Sequence, residues 1–417
     1  MFASASVTAA NRTSSCDLPG PIRSEFPVTA SRAYLLSGAI APASRAVTAA
    51  LEDWIKSWSF EPAVVWDERF SESDAVRERL ARLLGVTPGS IAIVDGTSRA
   101  SNLAVGLLSQ RRIGNVVVDA TTYKSSLFPW LLPERAGLEV RRAVSRAGAL
   151  AAAPVDLEPL IDDRTVAVSI THVDPVSGFR HDLRPIADLA HAHGSAFIVD
   201  VAQSAGIVHL DLIEQGVDIA AGTAMKWLLG PPGIGYLYVS EDLLAVTGAP
   251  QVGYLGADLD PMDSSHLRLR AGARRHELGL PSLLGMPGFR AGLDLILDIG
   301  VLPIAAHVEG LIDRCLDGLQ TLGLEATTPS DHRSRAGMLV IPAERPTELH
   351  AFLRERGVDV WSHEARGFIR VDPHLFNSHH DIDRFLDGME SYVSLRGSDR
   401  RYRAARLAAD AGGRRDG

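Results

Sequence analysis

The chain has 417 residues, 46% of them apolar, and a formal net charge of -9. That is enough apolar material for one large core plus a smaller one, and the acidic balance argues against a dedicated nucleic-acid surface. Two cysteines, Cys16 and Cys315, are too far apart in context to form a disulfide framework, and no segment reads as a membrane span, so a cytoplasmic protein is expected.

In chain order, residues 1–30 are rich in Ala, Ser and Thr and lack a continuous apolar core of signal-peptide length. A flexible arm is expected there, with a transit peptide as the alternative. From about Ile91 to Ser240, short apolar runs alternate with helical patterns. "IAIVD", "NVVVD", "TVAVSI" and "SAFIVD" read as strands buried on both faces, with "ASNLAVGLLSQ" and "LRPIADLAHAHG" as helices among them. "VDIAAG" and "IGYLYVS" add two strands. The expected class is α/β, with a mostly parallel, helix-covered sheet in a large domain over residues 31–290.

A long helical stretch punctuated by Gly300 and Pro303 leads into a smaller α/β domain over residues 291–395. It contains the strand candidates "AGMLVIP" and "GFIRVD" and a closing helix "DIDRFLDGMESYVSL". Residues 396–417 read as a basic helical tail that frays.

Only three of the 42 basic residues are lysines: Lys56, Lys124 and Lys226. Lys226 lies in the apolar run "GTAMKWLLG". Arginine stays protonated, whereas a lysine amine in a dry site can lose its proton and form a Schiff base with an aldehyde. The ordinary alternative is a lysine that extends its head to water.

The neighbours favour the chemical reading. Asp200 ends a strand, Gln203 follows it, and both precede Lys226 by about two dozen residues. A carboxylate that keeps a pyridine nitrogen protonated, near a lysine that traps an aldehyde, meets the needs of pyridoxal phosphate. Gln203 is a candidate partner for the ring hydroxyl. In "VDGTSRASNLA" a strand turns through Gly96 into a helix opened by Thr97 and Ser98, a candidate phosphate site. Thr223 offers a further hydroxyl, Tyr123 a ring that can stack, and Arg370 a planar donor for a carboxylate.

The ordered segments "DGTS", "TTYKSS", "THVDPVSG", "VDVAQSAG", "GTAMKWLLGPPGIGYLYV" and "FIRVDPHLFNSHHDIDRFL" resemble the class V aminotransferases, a pyridoxal phosphate family that includes cysteine desulfurases and kynureninases. "YLLSGAIAPASRAV" resembles their entry motif, and the similarity runs from about Arg32 to Leu395.

The resemblance implies a fold-type I homodimer with shared active sites, in which residues 31–45 pack on the small domain. It implies Lys226 as the Schiff-base lysine, Asp200 on the pyridine nitrogen and Gln203 on the ring hydroxyl. It also implies Thr97 and Thr223 near phosphate, Tyr123 over the ring and Arg370 on the substrate carboxylate. Three departures stand out. Met225 occupies the place of a histidine, Leu280 that of a threonine that reaches phosphate across the dimer, and the loop before Arg370 carries no cysteine.

A persulfide-forming desulfurase is therefore not expected. The expected reaction is β-elimination from an amino acid such as a cysteine conjugate, with aminotransfer next, then epimerisation or decarboxylation. A non-catalytic binding protein is the alternative of another class. No metal, nucleic acid or membrane partner is expected. His374, His379, His380 and Asp381 match no common ligand spacing, and "GPPGIG" lacks the context of a nucleotide loop.

Overall fold

The computed structural model describes residues 18–68, 70–109, 114–132, 137–146, 149–258 and 267–412. Seven strands form the central sheet: β1 Ile91–Val94, β2 Gly114–Asp119, β3 Leu138–Ala143, β4 Thr165–Thr171, β5 Ala196–Asp200, β6 Ile219–Thr223 and β7 Gly235–Val239. Their spatial order is β1-β7-β6-β5-β4-β2-β3. Every pairing from β6 to β3 is parallel, and β7 runs antiparallel to both of its neighbours.

The apolar runs become the interior of the sheet because helices cover both faces: every residue of β2 and β4 is buried. Strand β3, "LEVRRA", is an addition to the expected set. Its alternation of apolar and charged residues fits an edge strand, since its middle positions are partly open to solvent.

Helices Arg45–Phe60 (α1), Ser71–Leu84 (α2), Thr97–Ser109 (α3) and Leu183–Ala192 (α4) belong to the large unit. The long helical stretch divides at Gly300, whose φ is +89°, into α5 Gly285–Ile299 and α6 Val301–Thr321. These two axes bend by 82°. Met286, Phe289, Leu293 and Ile296 of α5 are fully buried. Among the described residues, no single helix is long and apolar enough to cross a membrane.

The C-terminal unit carries a three-stranded antiparallel sheet of β8 Leu339–Pro342, β9 Trp361–His363 and β10 Phe368–Val371, with β10 in the middle. Helices α7 Pro346–Glu355 and α8 His379–Gly412 complete it. Residues Ala33–Tyr34 run parallel to Val358–Asp359.

The flexible arm expected over residues 1–30 needs correction for its second half; residues 1–17 lie outside the described ones. Pro19–Ser24 is helical, Phe26 is fully buried with its ring 4.4 Å from that of Phe376, and Arg23 donates to Asp381 at 2.5 and 2.9 Å. Ile22 and Phe26 supply the apolar surface that ties the segment down. At the other end, α8 runs on through the expected tail to Gly412, and residues 413–417 lie outside the described ones.

Gly206 has φ +103°, and a β-carbon there would press on the Trp227 carbonyl oxygen, next to Lys226. Gly206→Ala is expected to destabilise the fold by about 1–3 kcal/mol through strain and overpacking. Gly89→Ala, at a position with open space, is the control. Thermal melts of the two variants check this: a lowered midpoint is expected for the first and an unchanged one for the second.

Candidate active site

In an open sheet of this kind, ligands sit beyond the carboxyl ends of the parallel strands. The segments that leave β1, β2, β5 and β6 converge there on a cleft of about 870 Å³. Gly96, Thr97, Ser98, Tyr123, Gln203, Thr223, Lys226 and Arg370 all line it, and Asp200 lies buried beneath them at the end of β5.

Lys226 follows β6 on a loop pinned at several points. The Ala41 N–H donates to the Met225 carbonyl at 2.8 Å, and Gly230 N–H to Ala224 at 2.9 Å. The side chain reaches the cleft with Nζ 5.9 Å from the centre of the Tyr123 ring. Burial, reinforced by Arg370, lowers its pKa to about 8, against the opposing pull of Asp200 and Asp372. An amine so placed is partly unprotonated near neutral pH, which nucleophilic attack requires.

The Asp200 carboxylate is fixed by donors. Oδ2 accepts from Ser126 Oγ at 2.9 Å and from Ser125 Oγ at 3.3 Å, and Oδ1 accepts from the Ala202 N–H at 3.0 Å. The two serines belong to "TTYKSS", where the only available signal was a pair of hydroxyls after a strand end.

Gln203 is oriented by the lysine's own neighbour. Its Oε1 accepts from the Trp227 indole N–H at 2.8 Å, and its Nε2 donates to the Gly38 carbonyl at 3.0 Å, so one amide proton remains for a ligand.

Thr97 and Ser98 open α3, where backbone N–H groups lack partners within the helix. Gly96 lies against the antiparallel strand: a β-carbon on Gly235 would come 2.5 Å from its Cα. The Thr223 hydroxyl makes only a long contact, 3.3 Å, to the Ile234 carbonyl. Tyr123 is held at the cleft by its N–H, which donates to Thr171 Oγ1 at 2.9 Å.

Arg370 lies between the buried Ile369 and Val371 on β10 and lines the cleft. It is nevertheless itself buried, ion-paired with Asp372 and stacked under Trp361. Sequence inspection named neither of those partners, nor Gly38, which lines the same cleft.

Further acidic and histidine side chains at strand and helix ends take structural or peripheral places. Asp119 accepts from the Thr121 N–H at 2.9 Å and lies 3.1 Å from His181 Nε2. Asp95 is exposed at the cleft rim. His374 packs on Trp227 with Nε2 3.0 Å from that residue's carbonyl, and Asp381 takes Arg23. His172 is buried, which lowers its pKa to about 3 and keeps the ring neutral at physiological pH. His209 is exposed, and His191 pairs with Asp218.

The segment expected as a loop before Arg370 is strand β9 and the helical turn after it, and it presents Trp361, His363 and Arg366 to the cleft. Cys315 is fully buried in α6, where burial raises its thiol pKa, and Cys16 lies outside the described residues. Met225 lines the cleft, while Leu280 is exposed on its loop.

A family model described as "Aminotransferase class-V" matches residues 33–385. The chain belongs to the class V aminotransferases. It is 28% identical over 374 residues to "Uncharacterized aminotransferase YcbU" of Bacillus subtilis, covering 89% of this chain and 97% of that one. It is 25% identical over 404 residues to a "Probable cysteine desulfurase" of Methanothermobacter thermautotrophicus, covering 90% and 98%. In fold it matches a cystine C–S lyase solved with its product cysteine persulfide, with a TM-score of 0.79 and 20% identity over 88% of this chain and 99% of that one.

The similarity to proteins named cysteine desulfurase weighs against ruling out persulfide formation from the missing loop cysteine alone. Class V aminotransferases use pyridoxal phosphate. The residues present fit that group: an amine with a lowered pKa, a carboxylate fixed beneath the cleft, and a helix start on one wall.

With cofactor removed, Lys226 is expected to be half-deprotonated near pH 8. Its labelling by an amine-selective reagent, followed by mass spectrometry, should rise through that pH. Lys56, whose pKa is raised by Asp53, should respond only at higher pH. Equal profiles for the two would contradict the environment described for Lys226.

Proposed function

We propose that this protein is a pyridoxal phosphate enzyme acting at the α- and β-carbons of an amino acid, with carbon–sulfur β-elimination from a cysteine conjugate as the favoured reaction. The observation that carries this reading is the Lys226 amine in a cleft beside Tyr123, above a buried Asp200 held by two serine hydroxyls and a backbone N–H. When bound, the cofactor supplies an aldehyde for amines and a ring that accepts an electron pair.

This chain's residues then have the following work. Lys226 Nζ would hold the aldehyde carbon, and once freed by a substrate amine it would take the proton from the substrate α-carbon. Asp200 would hold a proton on the ring nitrogen. The remaining Gln203 amide proton would serve the ring hydroxyl, and the α3 start with Thr97, Ser98, Gly96 and Thr223 would hold the phosphate. Tyr123 would pack on the ring, and Arg370 would bind the far end of the substrate. Loss of the β-substituent then gives, with water, a thiol, pyruvate and ammonia.

A homodimer with shared active sites belongs to the same proposal. The exposed apolar side chains of Tyr254, Leu280 and Leu284 fit a surface that a second copy covers. A protein cysteine that carries persulfide does not belong to it, since among the described residues no cysteine lines the cleft. Aminotransfer is the second reading, favoured by the name of the Bacillus relative.

An anaerobic single turnover with a cysteine S-conjugate tests the favoured reaction. Pyruvate and free thiol with the yellow cofactor band retained are expected. Conversion of the cofactor to its amine form would favour aminotransfer, and alanine with sulfane sulfur from cysteine would favour a desulfurase. Lys226→Ala should abolish the native chromophore and lower turnover by at least about 100-fold, the smaller end of general acid–base contributions. A chromophoric protein that consumes none of a pool of amino acids and conjugates would point to a binding role.

A further inference from the structure

The guanidinium of Arg370 already has an anionic partner within the fold. Its Nε–H donates to both carboxylate oxygens of Asp372, at 2.8 Å each, and Nη1 donates to the Pro175 carbonyl at 3.2 Å. The Trp361 ring lies 4.8 Å from the guanidinium carbon. Arg370 is 3% exposed and Asp372 not at all.

The backbone makes room for this pair. A β-carbon on Gly38 would sit 2.6 Å from Asp372 Oδ2 and 3.1 Å from Arg370 Nη2. The chain at Leu36 bridges to Asp372 itself. Neither side chain can move far without disturbing the segment that crosses the cleft.

A guanidinium has five N–H donors. One goes to Asp372 and one to Pro175, so three are left on the group that lines the cleft. The donors remain, but the charge is matched. A carboxylate bound at the open edge is attracted by Arg370 and repelled by Asp372 about one guanidinium width farther away. In a buried site both effects are strong, and their difference is much smaller than the attraction to an unpaired arginine. An amide, ester or hydroxyl oxygen accepts the same N–H bonds and is little affected by either charge.

We propose that Asp372 is a specificity-determining residue: it leaves Arg370 as a hydrogen-bond donor of matched charge, so the cleft accepts primary amines with a neutral group at this end, such as α-amino amides and esters, alongside α-amino acids. This rests on the cleft being the pyridoxal phosphate site in which Lys226 exchanges with a substrate amine.

The test titrates the yellow holoprotein with L-alanine and with L-alaninamide, reading dissociation constants from the cofactor absorbance and expressing them per unprotonated amine. In the native protein the two ligands are expected to bind within about tenfold of each other. A larger preference for alanine overturns the proposal, and this comparison needs no variant.

Asp372→Asn keeps an acceptor for Nε–H and removes the charge. It should tighten alanine by at least about fivefold and alaninamide by less than about twofold. An unchanged ratio, or one shifted towards the amide, overturns the proposal. Asp372→Ser provides the same comparison with a smaller side chain. A protein that never turns yellow refutes the cofactor reading, whereas a yellow protein with an unshifted ratio refutes only the role given to Asp372.

Discussion

The cleft depends on keeping one amine partly uncharged beside two buried carboxylates. Left to Coulomb attraction alone, Asp200 and Asp372 would hold Lys226 as an ammonium. Burial and the nearby Arg370 outweigh them and lower its pKa to about 8. The carboxylates can stay close because each has other partners. Asp200 is occupied by two serine hydroxyls and a backbone N–H, and Asp372 by Arg370.

The position of the amine depends in turn on contacts that join distant parts of the chain. Trp227, the residue after the lysine, donates its indole N–H to Gln203, which donates to Gly38 in the N-terminal segment. The Trp227 carbonyl meets His374 of the C-terminal unit at 3.0 Å. The lysine loop is thus held from three directions by groups with no part in proton transfer. Gly206 and Gly38 lack side chains where these segments approach most closely.

Much of the large unit was legible because its strands are buried on both faces, so they read as short, continuous runs rich in β-branched Val and Ile, with turn residues at their ends. Lys226, Asp200 and Gln203 were legible for another reason: a rare residue type and a fixed spacing coincide. The edge strand "LEVRRA" was hidden by its arginines, which its partly exposed position tolerates. Asp372 fell inside the strand candidate "GFIRVD", on the same face as Arg370, but alternation places two side chains on one face without telling whether they pair with each other or with a ligand. Ser125 and Ser126 show only as a pair of hydroxyls after a strand end until Asp200 is seen to accept from both. The leader's composition suggested mobility, yet Phe26 packs on Phe376, more than three hundred residues away, and Ile22 packs against the same core.

That long-range docking bears on how the molecule is assembled during synthesis. Ala33 donates to the Gly357 carbonyl at 2.8 Å, and Arg32 pairs with Asp359 at 2.5 Å. Arg32 and Ala33 must therefore wait for residues 357–359, more than three hundred positions later in synthesis, before they find their places. Meanwhile the intervening sheet can close around a nucleus of its own, and the waiting segment carries its apolar side chains unprotected. Chaperone demand should therefore concentrate in that interval, and a circular permutant that joins the two ends would shorten it.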